Sequence, residues 1–304
     1  LKVSALAGSA VAFSSINLSS ASSAQKALPK RLVRLTANEN PYGFSPKAKQ
    51  AILDSVEMGN QYAYREKVGV LEKMIADREG LNPENVILGS GSGEVLCMAG
   101  AAYGWDNGEL VTPDLTFTMI FRYAQHFNAK INKVPLNDKL ELNLIEMEKR
   151  VSDKTSLTYV CNPNNPTGTM LPKNQVKDFC ETVSKRSNVF VDEAYLEYTN
   201  DFPRNSMVEL IKQDKNVIVS RTFSKIYGMA GMRIGYGLAK KEIADKLKKY
   251  RMTWFNSLGI NAAIESYKDT EFIKMSRAKN TRTRDYLYKE FAKRNITYPD
   301  SHGN

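Results

Sequence analysis

Two histidines and three cysteines are all that this chain of 304 residues offers to metal or thiol chemistry. His126 and His302 are too few for a histidine-based metal site or triad, and Cys97, Cys161 and Cys180 lack metal-ligand spacing and cannot all pair within one chain. They read as reduced, buried thiols. A block of basic charge is also missing. Although 43 Lys and Arg against 33 Asp and Glu leave a net charge of +10, the two signs are interspersed, so nucleic acid is not an expected partner. The densest run, Lys274 to Arg294, alternates its charges with Tyr286, Leu287 and Phe291 and follows Ile273, the pattern of an amphipathic helix with a wet face. The most apolar stretch, Val3 to Ile16, is too short to span a bilayer, so stable membrane insertion is not expected. What is present is ordinary for a folded protein: 42% hydrophobic and 25% charged residues, in a length that suits one large domain and a smaller one.

Residues 1–28 are small, apolar and serine-rich, with no acidic residue. Val3 to Ile16 fits the apolar core of a secretory leader, and Ser22-Ser23-Ala24 offers a small-x-small cleavage site before Gln25. The first residue is Leu1 and not methionine, so the chain is expected to begin inside its leader, and the Leu-Lys opening resembles the end of a twin-arginine signal. Export to the periplasm is the expectation. A cytoplasmic protein with a flexible tail or a buried helix here is the alternative.

From Lys30 the composition becomes that of a folded protein. Pro41, Gly43 and Pro46 keep Arg34 to Pro46 extended, with Tyr42 at its tip. A helix is expected at Pro46 to Ser55, a loop at Asn60-Gln61-Tyr62, and an amphipathic helix with Val68, Leu71 and Ile75 on one face. Seven strand-like runs follow: Val86 to Leu88, Leu110 to Thr112, Ile131 to Val134, Leu157 to Val160, Val189 to Val191, Val217 to Val219 and Ile234 to Leu238, separated mostly by helix-length segments. This alternation predicts an α/β fold with a largely parallel sheet, in which ligands bind at the carboxyl ends of the strands. The expected division is a leader at 1–28, an N-terminal arm and part of a small domain at 29–65, a large domain at 66–255, and the start of a C-terminal small domain at 256–304.

The polar motifs fall at those strand ends. Gly89 to Glu94 is a glycine loop leading into a helix, where free backbone N–H groups bind phosphate, although the loop alone also reads as a tight turn or half of a dinucleotide fingerprint. Thr112-Pro113 is followed by Phe117, an aromatic able to lie on a ring or to serve as core of a helix from Thr116 to Phe127. Asn162 to Gly168 forms a rigid loop that presents an amide side chain. Asp192, in Val191 to Tyr195, is an acid at the end of a buried strand, and such an acid needs a cationic partner. Last comes Ser220 to Gly237, with Lys225 beyond another buried strand and Ser224 and Arg233 on either side. A lysine there pairs, loses its proton, or is consumed as an imine by a carbonyl substrate or by pyridoxal phosphate, whose phosphate the serine and arginine could hold.

Taken together in order and spacing, NENPYG, GSGSGE, NPNNPTG, VDEAY and RTFSKIYGMAGMRIGYG resemble the fold type I pyridoxal-phosphate enzymes, in particular the histidinol-phosphate-aminotransferase-like group, from about Arg34 to Asn304. The resemblance implies the aspartate-aminotransferase-like architecture: a three-layer αβα large domain with a mostly parallel seven-stranded sheet, plus a small α/β domain. It implies pyridoxal 5'-phosphate as cofactor and Lys225 as its imine lysine and proton shuttle. Asp192 would face the ring nitrogen, Tyr195 and Asn165 the ring 3-oxygen, and Phe117 the ring face, where the family often has tyrosine. Ser92, Gly93 and Glu94 at the glycine loop, with Ser224, Arg233 and Tyr62 from a second subunit, would hold the phosphate. Tyr42 would line the substrate pocket. A homodimer with shared sites follows, with an amino donor and a 2-oxo acid acceptor as small-molecule partners. The family's carboxylate-binding arginine is expected beyond Asn304, with Asn295 to Asn304 the start of a strand. An exported copy is expected to act on an amino acid and not on histidinol phosphate. A decarboxylase or lyase of the same fold stays open from these motifs, as does a cofactor-sensing regulatory domain.

Overall fold

The computed structural model describes residues 35–303, so the leader expected at 1–28 lies outside the described residues. Residues 38–304 group into one unit, and the account below concerns that unit. Ser45 opens α1 (Pro46–Asp54) by accepting from Ala48 N, with proline at the first helical position, where no N–H is needed. The chain continues through α2 (Arg65–Glu79), β1 (Val86–Gly89), α3 (Ser92–Gly104), β2 (Glu109–Pro113), α4 (Met119–Ala124), β3 (Lys130–Val134), α5 (Leu144–Arg150), β4 (Thr155–Cys161), α6 (Lys173–Val183), β5 (Asn188–Asp192), α7 (Val208–Lys212), β6 (Val217–Thr222), β7 (Gly235–Ala239), α8 (Lys241–Lys248), α9 (Ser257–Lys268) and α10 (Thr270–Lys293). All seven expected strands form.

They make one sheet in the order β1-β7-β6-β5-β4-β2-β3. Pairing is parallel from β6 to β3, while β7 runs antiparallel to both β1 and β6. Each face carries its own core. Ile87, Leu96, Tyr159, Phe190, Ile218 and Leu247 pack on the side of α3, α4 and α8. Leu71, Val160, Phe179, Val191, Leu210 and Ile260 pack on the side of α2, α6, α7 and α9. Helices on both faces leave the sheet no wet side, which is why its strands read as apolar runs and not as alternating ones. Register aligns Cys161 with Asp192 and Asp192 with Ser220. Because side chains alternate along a strand, Tyr159, Asp192 and Ser220 share one face, and a slip of one residue would separate them.

Three expectations change. The helix expected from Thr116 is shorter, because Thr116 Oγ1 donates to Asn164 Oδ1 (2.8 Å) and Asn164 Nδ2 donates to Leu115 O (3.0 Å), holding residues 115–116 in a loop. On α10 only Phe272 and Ser276 are buried, while Tyr286 and Leu287 lie in solvent. The segment after it is extended without joining the sheet: its backbone contact is His302 N donating to Gly168 O (2.8 Å), along the Asn162 to Gly168 loop and away from any sheet edge. All three cysteines are free thiols, with Cys97 half-buried and the other two buried.

Candidate active site

The C-terminal ends of β5 and β6 bring an acid and an amine to one place. Asp192, only 3% exposed, accepts from Ser220 Oγ (2.9 Å) and Ala194 N (3.2 Å) at Oδ1 and from Tyr159 OH (3.1 Å) at Oδ2. Burial pushes its carboxyl upward, opposed by these three donors and by the charge of Lys225. β6 ends at Thr222, and Gly228 N donating to Lys225 O (2.9 Å) closes the turn that carries the lysine. Gly228 has φ +70° and sits against the carbonyl of Gly43, so a side chain here would displace the arm that covers the turn. Lys225 Nζ donates to Asn38 O (3.3 Å) and stands 5.4 Å from the centre of the Tyr195 ring. Its pKa is lowered chiefly by burial and also by Arg233, against the pull of Asp192 and Glu39. The result is an amine more easily freed of its proton than a surface lysine, which a nucleophile needs.

A cradle for an anion adjoins the lysine. Arg233, at φ +56°, is exposed but tethered: Nη1 donates to Ser224 Oγ (3.2 Å) and Ala230 O (2.8 Å), and Nη2 to Ser90 O (3.1 Å). A Cβ on Gly91 would collide with this guanidinium, and one on Gly235 would collide with Ser92 N, so two glycines set how closely the arginine, β7 and the start of α3 approach. The free N–H groups of Ser92 and Gly93 at that helix start, the Ser224 hydroxyl and the Arg233 guanidinium converge as phosphate donors do. Glu94 is committed elsewhere. Its buried carboxylate accepts from Ser90 N (2.6 Å) and from Met252 N and Thr253 N (both 3.1 Å), strapping the glycine loop to the segment after α8.

On the other side, Tyr195 OH accepts from Asn38 Nδ2 (3.1 Å) and Asn165 Nδ2 (3.4 Å), and burial pushes the phenol up to about 12. Phe117 lies in the β2–α4 loop, half-buried against the α3-side core. Tyr42, 39% exposed, has Lys279 Nζ 4.4 Å from its ring centre. Tyr62 is 84% exposed and is not gathered into this cluster within its own chain.

The structure therefore joins Lys225, Asp192, Tyr195 and Asn165 to an adjacent cradle of Ser92, Gly93, Ser224 and Arg233. Asn38, Tyr159 and Ser220 complete the site: Asn38 and Ser220 open two of the motifs quoted above but were given no role there, and Tyr159 belongs to none of them. The signal for Tyr159 and Ser220 is slight: a polar residue two before, or in register with, a motif residue on a buried strand. The donor set fits a phosphorylated pyridine aldehyde. A lysine with lowered pKa would suit the aldehyde, a buried acid lacking an arginine of its own would suit a ring nitrogen, and the cradle would suit the phosphate. Among the described residues there is no group of His, Cys, Asp and Glu that could hold a metal.

Comparison with known proteins agrees with this geometry. Residues 30–304 match the model of the aminotransferase class I and II family. A histidinol-phosphate aminotransferase 2 of Haemophilus influenzae (strain 86-028NP) is 35% identical over 275 residues, covering 90% of this chain and 74% of that protein. One from Carboxydothermus hydrogenoformans is 34% identical, covering 89% and 75%. The solved structure of histidinol-phosphate aminotransferase from Sinorhizobium meliloti, in complex with pyridoxal-5'-phosphate, superposes with a TM-score of 0.81 at 28% identity, covering 88% of this chain and 73% of that one. A lysine, a buried acid and an anion cradle at the ends of a doubly covered sheet are thus those of a fold type I enzyme, and the chain belongs to the class I and II aminotransferases.

Proposed function

We propose that this pyridoxal-phosphate-dependent aminotransferase moves an amino group between an amino-alcohol phosphate of the histidinol-phosphate kind, or an amino acid, and a 2-oxo acid. The observation that carries the reading is Lys225 standing between the anion cradle and Asp192, supported on the substrate side by the names of the relatives at 34–35% identity.

When bound, the cofactor supplies an aldehyde that takes up an amino group and a ring that accepts the electron pair left on the substrate carbon. The protein's residues do the rest. Ser92 and Gly93 amides, Ser224 Oγ and Arg233 would hold the phosphate. Tyr195 OH and Asn165 Nδ2 would serve the ring 3-oxygen, and Phe117 would pack the ring face. Asp192 would keep a proton on the ring nitrogen. Lys225 Nζ would carry the proton between the amino-bearing carbon of the substrate and the aldehyde carbon of the cofactor, a task suited to an amine whose pKa burial has lowered. The arm from Asn38 to Gly43 touches Tyr195, Lys225 and Gly228, which supports a substrate-side role for its Tyr42. A homodimer with Tyr62 reaching the partner's phosphate is part of the proposal, supported by the exposure of that side chain, and export rests on the composition of residues 1–28.

The test presents the purified holoenzyme with histidinol phosphate and with a panel of amino acids, each beside a 2-oxo acid acceptor. The expected result is the highest kcat/KM for the phosphorylated donor. A higher value for an amino acid lacking phosphate would reassign the substrate while leaving the transaminase reading in place.

A further inference from the structure

We infer that Tyr159 and Ser220 are positioning residues for the reaction, whose hydroxyls fix both oxygens of Asp192 and leave Oδ2 as the oxygen that receives the N–H of the cofactor ring. The inference rests on the reading of Asp192 given above and concerns what holds that acid in place.

Three strands contribute. Tyr159 on β4 and Ser220 on β6 flank Asp192 on β5, and register sets all three on the face shared with Phe190 and Ile218. Both hydroxyl-bearing residues are 0% exposed. A hydroxyl buried that deeply carries a desolvation cost unless it is paired, and each is paired to the same carboxylate. A carboxylate offers about four lone-pair sites. Oδ1 accepts from Ser220 Oγ and Ala194 N, which fills it, whereas Oδ2 accepts from Tyr159 OH and retains capacity for one more donor. The three bonds also fix the side chain's rotation, so the remaining lone pair has a set direction. All three donors are neutral, so they stabilise the anion without supplying the positive charge that a ring N–H would bring. An arginine in place of either hydroxyl would supply that charge permanently and weaken the pairing with the ring.

The experiment measures dissociation constants for two ligands on the full chain: pyridoxal phosphate, and its carbocyclic analogue with C–H in place of the ring nitrogen. The proteins are wild type, Ser220→Ala, Ser220→Thr, Tyr159→Phe and the double variant Ser220→Ala with Tyr159→Phe. Removing each hydroxyl is expected to weaken the natural cofactor about 10-fold, the size of a hydrogen bond to a charged group, and to leave the analogue unchanged. The double variant should therefore lower the preference for the natural cofactor about 100-fold, with Ser220→Thr close to wild type. Equal losses for both ligands, or no loss for either, would mean that the hydroxyls only fill the core, and would overturn the inference. If Tyr159→Phe fails to fold, the Ser220→Ala and Ser220→Thr pair decides by itself. A wild type without preference for the natural cofactor would instead remove the role given to Asp192, an outcome separate from the behaviour of the variants.

Discussion

Asp192 accepts hydrogen bonds from two hydroxyls and one amide, whereas the next residue, Glu193, accepts from Arg221 Nε (3.0 Å), Ser206 Oγ (2.9 Å) and Met207 N (2.8 Å). Arg221 is itself buried, and its Nη1 donates to Glu79 Oε1 (2.6 Å). Burial pushes both acids upward, but Glu193 is opposed first by a guanidinium and Asp192 first by the Ser220 hydroxyl. The first acid has its cation within the protein and ties α2, β6 and the loop before α7 together. The second is held by neutral donors, with Lys225 as its nearby cation, and in the proposed reading it faces the cofactor ring. Two adjacent carboxylates at equal depth can thus serve structure and chemistry separately, and the identity of the countercharge separates them.

Three experiments press on this contrast. The largest effect is expected at the amine that Asp192 faces. Lys225→Ala should abolish borohydride-dependent attachment of the cofactor and lower amino transfer by about 10²–10⁴-fold or more, the range for a positioned acid-base group. Retained attachment and turnover would place the reacting amine elsewhere. Next, exchanging charge for an amide at the two acids should have opposite consequences. Glu193→Gln leaves Arg221 with one fewer carboxylate, so unfolding in denaturant should show a loss of about 3 kcal/mol with turnover of the folded holoenzyme retained. Asp192→Asn should weaken the natural cofactor at least as much as the double hydroxyl variant and, at saturating cofactor, lose turnover without that loss of stability. If both variants lost stability alike and neither lost turnover selectively, the division of roles would fail. The smallest effect is expected at Tyr62, which is exposed among the described residues. In a dimer with shared sites, Tyr62→Phe should weaken phosphate retention by about 1.5–3 kcal/mol. Mixing Tyr62→Phe chains with Lys225→Ala chains should restore one sound site per heterodimer, and failure to do so despite subunit exchange would confine each site to one chain.

The site was legible in the sequence where a residue type is scarce or locally constrained. Lys225, Asp192 and Arg233 could be singled out because charge beside buried strands must be accounted for, and the glycine loop because a helix start next to glycines leaves amides free. Glu94 belonged to that loop by position, yet its carboxylate turns back to Ser90 and across to Met252 and Thr253, a long-range choice that spacing does not encode. Phe117 likewise falls outside a helix because Asn164, from a distant loop, captures the backbone carbonyl at Leu115.

The sequence by itself determined the seven strands, the mostly parallel sheet, the family and the order of the motifs, since apolar runs and turn residues act over a few positions and read out locally. Tertiary structure decided which neutral groups surround each charge. Tyr159 lies 33 residues from Asp192 and Ser220 lies 28, and only strand register brings their hydroxyls to one carboxylate. The same holds for Arg221 and Glu79, which are 142 residues apart in the chain and 2.6 Å apart in the fold. A charge announces its need for a partner wherever it is written, but burial and register choose that partner, because the cost of an unpaired polar group is set by the closed core and not by the sequence around it.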